Sequence, residues 1–91
     1  MVLKSTITGR EYKMGKSIIQ NSIRRLRFNA DEMTQQQLAD AIGVSRQTIV
    51  AIEKGNYSPS LELAFRIGHL FSTSLEDIFT YDPNKDKSLM K

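Results

Sequence analysis

Cysteine and tryptophan are absent from the sequence, and only two prolines occur among its 91 residues. Without cysteine the chain has neither disulfide bonds nor thiolate metal ligands, so packing alone must stabilise it. No apolar run approaches the ~20 residues that span a bilayer, and the N-terminus has no apolar stretch typical of a signal peptide. These absences favour a cytoplasmic protein that does not enter a membrane.

Residues that carry catalytic or metal chemistry are also scarce. A 91-residue chain with 40% hydrophobic residues supports one small domain, which leaves little room for a deep substrate pocket. The single histidine, His69, has no second histidine or cysteine at ligand spacing, which favours a half-exposed packing residue over a metal ligand. Neither a Gly-x-Ser-x-Gly setting nor a glycine-rich phosphate loop is present. We therefore predict no enzyme activity, no cofactor and no metal.

The net charge of +3 is unevenly distributed. Residues 1–17 contain four bases and one acid, so this segment accounts for the whole excess and the rest of the chain is balanced. A balanced domain can still bind a polyanion if its bases share one face. We predict a basic N-terminal arm over residues 1–17, a folded domain over residues 18–81, and a polar, mobile tail over residues 82–91.

Apolar residues recur at helical spacing in five segments of the predicted domain. In the first segment, Ile19, Ile23 and Leu26 share one face of a helix that runs from Ser17 to about Asn29. The other four segments open at polar residues that favour helix N-termini, namely Thr34, Ser45, Ser58 to Ser60 and Ser74. The pattern predicts an all-α fold, and the fifth helix is expected to keep Phe79 on its inward face.

Glycine marks the joint between the second and third helices. Gly43 can adopt the left-handed conformation that ends a helix, and Ser45 can cap the next helix two residues later. Gly55 then ends the third helix. Two short helices joined by such a turn predict a helix-turn-helix over residues 34–54.

The third helix has an outward face with the chemistry of base recognition. At ~100° per residue, Gln47 and Lys54 lie opposite the apolar stripe of Ile49 and Ile52. Arginine can bind guanine, glutamine can bind adenine, and small apolar groups can contact a thymine methyl. Exposed arginine and glutamine are usually just solvated, but the capped helix and glycine turn before them favour DNA binding. The outward set is completed by Arg46 at its border and by Val50 and Ala51 at its flanks.

The segment from about Ile23 to Phe79 resembles the helix-turn-helix transcriptional regulators of the phage repressor and Cro type, also called the xenobiotic-response-element family. The motifs that carry the resemblance are IRRLR, MTQQQLADAIGVSRQTIVAIEKG, YSPSLELAFRIGHLF and SLEDIF. The resemblance implies a five-helix, lambda-repressor-like DNA-binding domain. Its recognition helix, residues 45–54, would lie in the major groove of double-stranded DNA. The family commonly binds a near-palindromic operator as a homodimer.

Residue roles follow from the resemblance at matching positions. It implies that some residues contact phosphates, some contact bases and some line the groove, and that two residues contact either a phosphate or a base. The phosphate set is Gln35, Lys54 and Asn56, the base-reading set is Arg46 and Gln47, the groove-lining set is Val50 and Ala51, and the undecided pair is Ser45 and Thr48.

The resemblance further implies a structural ion pair between Arg27 and Glu53. The connector between Leu26 and Thr34 is one residue longer than the commonest family pattern, so Arg25 is the alternative partner of Glu53.

Two functions remain open at this point. The first is a sequence-specific DNA-binding regulator, most simply a repressor, that dimerises through residues such as Leu75, Phe79 and Tyr81. The second is an antitoxin-like protein-interaction module that also regulates its own gene. The arm has three alternatives, namely entry into the minor groove, a strand that forms a dimer, and a mobile leader without a specific role.

Overall fold

The computed structural model describes residues 17–89. Five α-helices and two short strands follow one another in this range. Their bounds are β1 (Ile19–Asn21), α1 (Ile23–Asn29), α2 (Gln35–Ile42), α3 (Arg46–Glu53), α4 (Leu61–Phe71), α5 (Leu75–Ile78) and β2 (Phe79–Tyr81). The predominantly helical class with five helices is confirmed, and a small sheet is added to it. The predicted arm lies outside the described residues except for Ser17.

The two strands correct the sequence interpretation at both ends of the domain. Strands β1 and β2 pair antiparallel, with Ile19 opposite Tyr81 and Asn21 opposite Phe79. The assignments of Ile19 to the first helix and of Phe79 to the fifth are therefore wrong. β-branched and aromatic residues fit a paired strand. Ile19 and Phe79 therefore lie in strands, although their spacing from the apolar residues of the neighbouring helices is helical. Ser22 N–H continues the contact by donating to Ile78 O at 2.9 Å.

The helix ends follow the polar and glycine signals of the sequence. Thr34 Oγ1 accepts from Gln37 N–H at 3.0 Å, and Gln37 Oε1 accepts from Thr34 N–H at 2.8 Å, which completes a capping box. Gly43 takes the left-handed conformation with φ of 81°. Ser45 Oγ then caps α3 by accepting from Thr48 N–H at 3.2 Å. Local hydrogen bonds thus set the angle at which α3 leaves α2.

One apolar core joins all five helices. Its largest fully buried side chains come from α1 to α5 in turn and are Ile23, Leu38, Ile49, Ile52, Ile67 and Ile78. Full burial of each such side chain contributes ~1.5–3 kcal/mol relative to exposure. Because α3 supplies two of them from one face, the core holds that helix with its opposite face outward.

An ion pair between Arg27 and Glu53 connects α1 to the end of α3. Arg27 Nε lies 2.6 Å from Glu53 Oε2, and Arg27 Nη2 donates to Glu53 Oε1 at 3.0 Å. The side chains are only 12% and 8% exposed. Arg27 Nη1 also donates to Met33 O at 2.7 Å, so the pair holds the α1–α2 connector as well. Arg25, the alternative partner, is exposed.

The connector between α1 and α2 turns through two residues in the left-handed region. Asp31 and Glu32 have φ of 58° and 57°. This conformation costs a non-glycine residue ~1–2 kcal/mol. Glu32 N–H donates to Phe28 O at 3.1 Å and Met33 N–H donates to Arg27 O at 2.9 Å, which helps to offset the cost. The tight turn brings Met33 O back to the Arg27 guanidinium.

The first residues after β2, which belong to the predicted tail, form a short turn. A 3-10 turn at Pro83–Lys85 is capped by Asp82, which accepts from Asn84 N–H at 2.9 Å. Tyr81 Oη donates to Asp86 Oδ2 at 2.8 Å, and Asp86 is buried. This hydrogen bond, with desolvation and the nearby carboxylate charges, raises the pKa of Tyr81 above its ordinary value.

Replacement of Glu53 by alanine is expected to destabilise the domain. The variant leaves the Arg27 guanidinium without its carboxylate in a nearly buried position, which costs ~3–5 kcal/mol. Thermal unfolding measures the effect. Glu62→Ala is the control because Glu62 is an exposed acid on α4. Equal melting temperatures for Glu53→Ala and the wild type would show that the pair contributes nothing to folding.

Replacement of Gly68 by alanine is also expected to destabilise the domain, although alanine favours helices by ~1 kcal/mol. A Cβ atom at Gly68 would lie 2.9 Å from Thr73 O and 3.3 Å from Leu75 Cδ2, where α4 meets α5. Such overpacking typically costs ~1–3 kcal/mol. Urea unfolding of Gly68→Ala should show a lower midpoint, whereas His69→Ala, at an exposed position of the same helix, should not. A raised midpoint for Gly68→Ala would contradict this packing.

Candidate nucleic-acid interface

The outward face of α3 and the turn after it form one continuous surface. Gln47 and Lys54 are exposed on it, opposite the buried Ile49 and Ile52. One shallow depression collects most of the predicted DNA-binding residues, and its lining is Arg46, Gln47, Val50, Ala51, Lys54 and Asn56. Packing of one face of α3 therefore presents guanidinium, amide, ammonium and apolar groups together on the other.

The charge on this surface is positive. Within α3 the sequence has one acid, Glu53, and that carboxylate is bound to Arg27. Arg46 and Lys54 are both exposed at opposite ends of the helix. The ion pair thus balances the negative charge of Glu53 at the edge of a surface that is suited to a polyanion.

Ala51 contributes less surface than the sequence indicated. It is only 8% exposed, and its carbonyl accepts from Asn56 N–H at 2.9 Å. Ala51 nevertheless lines the depression that also contains Arg46 and Gln47. Its place in the groove-lining set stays a prediction, and Val50 in the same set is partly exposed.

Ser45 and Thr48 form hydrogen bonds with each other at the N-terminal end of α3. Besides the capping bond, the two hydroxyl oxygens lie 3.0 Å apart and are hydrogen-bonded to each other. A hydroxyl has one donor and two acceptor positions, so the exposed Ser45 retains capacity for another partner. Their position beside Arg46 and Gln47 brings all four residues to the N-terminal end of α3.

Gln35 is turned toward the ion pair. It is partly buried, and its Nε2 donates to Glu53 Oε1 at 3.2 Å. This bond engages one of its two amide hydrogens. Gln37 N–H is used by the capping box, but the backbone N–H groups of Gln35 and Gln36 have no partner within the helix and add positive character at the same place. A phosphate contact at Gln35 would use these N–H groups and the second amide hydrogen.

Arg24 belongs to the same surface, although it was not among the residues predicted from the sequence. It is exposed on α1 and lines a depression with Thr34, Gln35, Val50 and Lys54. The spacing of three residues between Arg24 and Arg27 places both on one side of α1, and that signal is visible in the sequence. The structure thus brings a base from α1 to the edge where α2 begins and α3 ends.

Other site chemistry is limited in the described part of the chain. His69 is exposed on α4. Between residues 17 and 89, no group of three or more histidines and acids has a geometry suited to a metal ion. None of the helices in that range is both long and apolar enough to cross a bilayer.

Comparison with known proteins agrees with this geometry. The helix-turn-helix family model HTH_3 matches residues 23–78, which is more than half of the chain. An uncharacterized HTH-type transcriptional regulator of Methanocaldococcus jannaschii is 57% identical over 53 residues, which cover 58% of this chain and 80% of that protein. The HTH-type regulator YgzD of Bacillus subtilis is 44% identical over 61 residues, covering 67% and 91% respectively.

A phage protein is also among the relatives. The cryptic phage CTXphi transcriptional repressor RstR of Vibrio cholerae is 31% identical over 70 residues, covering 76% of this chain and 62% of the repressor. The family is a non-enzymatic, DNA-binding kind of protein. The capped α2, the glycine turn and the outward face of α3 coincide with the matched segment, and the chain therefore belongs to the Cro/C1-type helix-turn-helix family of DNA-binding transcriptional regulators.

Proposed function

We propose that this protein is a sequence-specific repressor that binds double-stranded DNA as a homodimer, with α3 in the major groove. The observation that carries the proposal is the two-sided character of α3. Ile49 and Ile52 are fully buried, while Gln47 and Lys54 are exposed on the opposite side. A helix held this rigidly can present its polar side chains to base edges at low entropic cost. The name of the relative RstR supports repression.

The two ends of α3 have different roles in this proposal. In helix-turn-helix complexes the N-terminal residues of the recognition helix contact base edges. Arg46 and Gln47 lie at that end, where guanine and adenine are their respective partners in the major groove. Lys54 lies two turns away, at the C-terminal end and next to the depression shared with Arg24. We assign Lys54, Asn56 and the start of α2 to phosphates.

Alanine substitutions at the two ends should separate specificity from affinity. Gln47→Ala is expected to cost ~1–3 kcal/mol on the preferred site and to relax the preference at one base pair. Lys54→Ala is expected to weaken binding to all duplexes alike and to reduce the logarithmic salt slope by ~0.9 per protomer. Titrations on matched and mismatched duplexes selected from a random pool, at several salt concentrations, measure both effects.

Each variant serves as the control for the other, because both residues are exposed on one helix and neither belongs to the core. Melting temperatures close to that of the wild type exclude misfolding. The docking is wrong if Gln47→Ala weakens every duplex equally while Lys54→Ala changes base preference. Failure of the wild type to select any duplex would reject DNA recognition itself.

Dimerisation follows from the amount of DNA that one domain can read. A single recognition helix covers about half a turn, and two-fold related helices bind half-sites ~34 Å apart on a near-palindromic operator. Apolar residues on one side of the domain supply an interface. Leu75 and Phe79 line an apolar depression together with Pro59 and Leu61, and Leu61 is 70% exposed. Tyr81 is exposed at the adjoining end of β2.

Leu61→Glu is expected to weaken the dimer, because it places a charge in this apolar surface without disturbing the core. Phe65→Glu is the matched control, since Phe65 is 58% exposed one turn further along α4 and does not line that depression. Sedimentation equilibrium of the protein alone and with operator DNA measures the stoichiometry. One protomer bound to an unrepeated half-site would refute the homodimer, and equal effects of both variants would refute this interface.

A further inference from the structure

Helix α4 has apolar side chains on its outer side as well as on its buried side. Leu63 and Ile67 face the core and are 7% and 0% exposed. Away from the core, Leu61 and Phe65 lie one turn apart and are 70% and 58% exposed. The outer side of a surface helix is normally polar. An exposed apolar row of this kind is typical of a surface that contacts another protein.

Two charged side chains lie beside this apolar row. Glu62 and Arg66 are exposed and are also one turn apart. Among the residues that the structure describes, neither takes part in an ion pair. Arg66 Nη1 donates to Ile42 O at 3.2 Å, which holds the guanidinium at the groove between α2 and α4. A guanidinium has five N–H donors, so Arg66 retains donors for a carboxylate.

We call these four exposed residues the outer α4 face, and their order makes the face complementary to itself. At ~100° per residue, Leu61 and Phe65 form one row, and the two charged residues form the row beside it. When two copies of α4 pack antiparallel about a two-fold axis at the level of Ala64, Glu62 of each copy lies opposite Arg66 of the other. The axis keeps each row on its own side, so the apolar rows of the two copies also meet. Ion pairs and apolar contacts therefore form together in one arrangement.

The outer α4 face differs from the surface that we propose for the homodimer. Phe65 and Arg66 line the groove between α2 and α4, whereas the homodimer surface includes the depression lined by Leu75 and Phe79. Leu61 lines both depressions. The outer α4 face is therefore continuous with the homodimer surface at Leu61 and extends from there toward α2.

The size of α4 limits the strength of this contact. An 11-residue helix is ~16 Å long and ~10 Å wide, so one side covers ~160 Å² in projection, whereas a stable interface buries ~800 Å² on each partner. The contact is therefore too small to hold two free copies together by itself. Where dimers are already concentrated, as on neighbouring sites of one DNA molecule, a weak second contact can link them.

We propose that the outer α4 face binds the same face of a second copy and thereby links one homodimer to another. The proposal rests on the proposed function, since it takes the homodimer as its unit. DNA is disfavoured as the partner because the acids Asp40 and Glu62 line the groove and would repel phosphates. A second copy is favoured over a different protein because the face itself supplies both the acid and the base that the pairing requires.

Charge reversal tests the proposal in the full-length protein without DNA. Sedimentation equilibrium up to millimolar concentration should show species larger than the dimer for the wild type. Glu62→Arg and Arg66→Glu each place like charges opposite one another at two symmetry-related positions, so each should weaken this association by about tenfold or more. The double variant exchanges the two charges and should restore it. Arg25→Glu is the matched control and should keep the wild-type association, because Arg25 is an exposed base on α1.

Arg66→Glu also removes the bond to Ile42 O, so melting temperatures identify the variants that are folded. Phe65→Glu leaves that bond in place and should abolish the larger species while the dimer persists. The proposal is overturned if the wild type stays a dimer at millimolar concentration. It is also overturned if Glu62→Arg or Phe65→Glu leaves the larger species unchanged, or if a folded double variant does not regain them. A wild type that stays monomeric even on DNA would reject the homodimer as well, which distinguishes the two failures.

Discussion

The ion pair between Arg27 and Glu53 is the interaction on which the rest of the structure depends. Arg27 reaches from α1 to the end of α3 and also binds Met33 O in the connector, while Glu53 accepts a third bond from Gln35 at the start of α2. Removing two charges from water is costly, and these extra hydrogen bonds help to offset the cost. The pair therefore holds three helices in one relative arrangement.

The same pair shapes the electrostatics of the outward surface of α3. Because the Glu53 carboxylate is bound to Arg27, the exposed charged groups at the two ends of α3 are the bases Arg46 and Lys54. A free carboxylate at this position would repel phosphates. A single contact thus holds the helices together and balances the carboxylate of α3. Gln35, which is predicted to contact a phosphate, is hydrogen-bonded to the same carboxylate.

The two-stranded sheet has a second organising effect, since it brings the two ends of the domain together. With Ile19 opposite Tyr81, the beginning of β1 and the end of β2 lie side by side. Ser17 is further held to Gly55 beyond α3. Ser17 consequently lies beside the C-terminal end of α3.

The sequence by itself determined the features that depend on neighbours within about one helical turn. The capping box at Thr34, the left-handed Gly43 and the cap at Ser45 are local, so residue types and their spacing were enough to identify the helix-turn-helix and the two faces of α3. The same residues carried the resemblance to the family, which the match over residues 23–78 confirms.

Only the tertiary structure decided the contacts between distant segments. The pairing of β1 with β2 removed Ile19 and Phe79 from helices, because a strand needs a partner that local periodicity does not reveal. The fold of the connector brought Arg27 and not Arg25 to Glu53. The position of Ser17 beside the end of α3 likewise depends on a hydrogen bond between residues 17 and 55, and neither composition nor spacing encodes such a long-range contact.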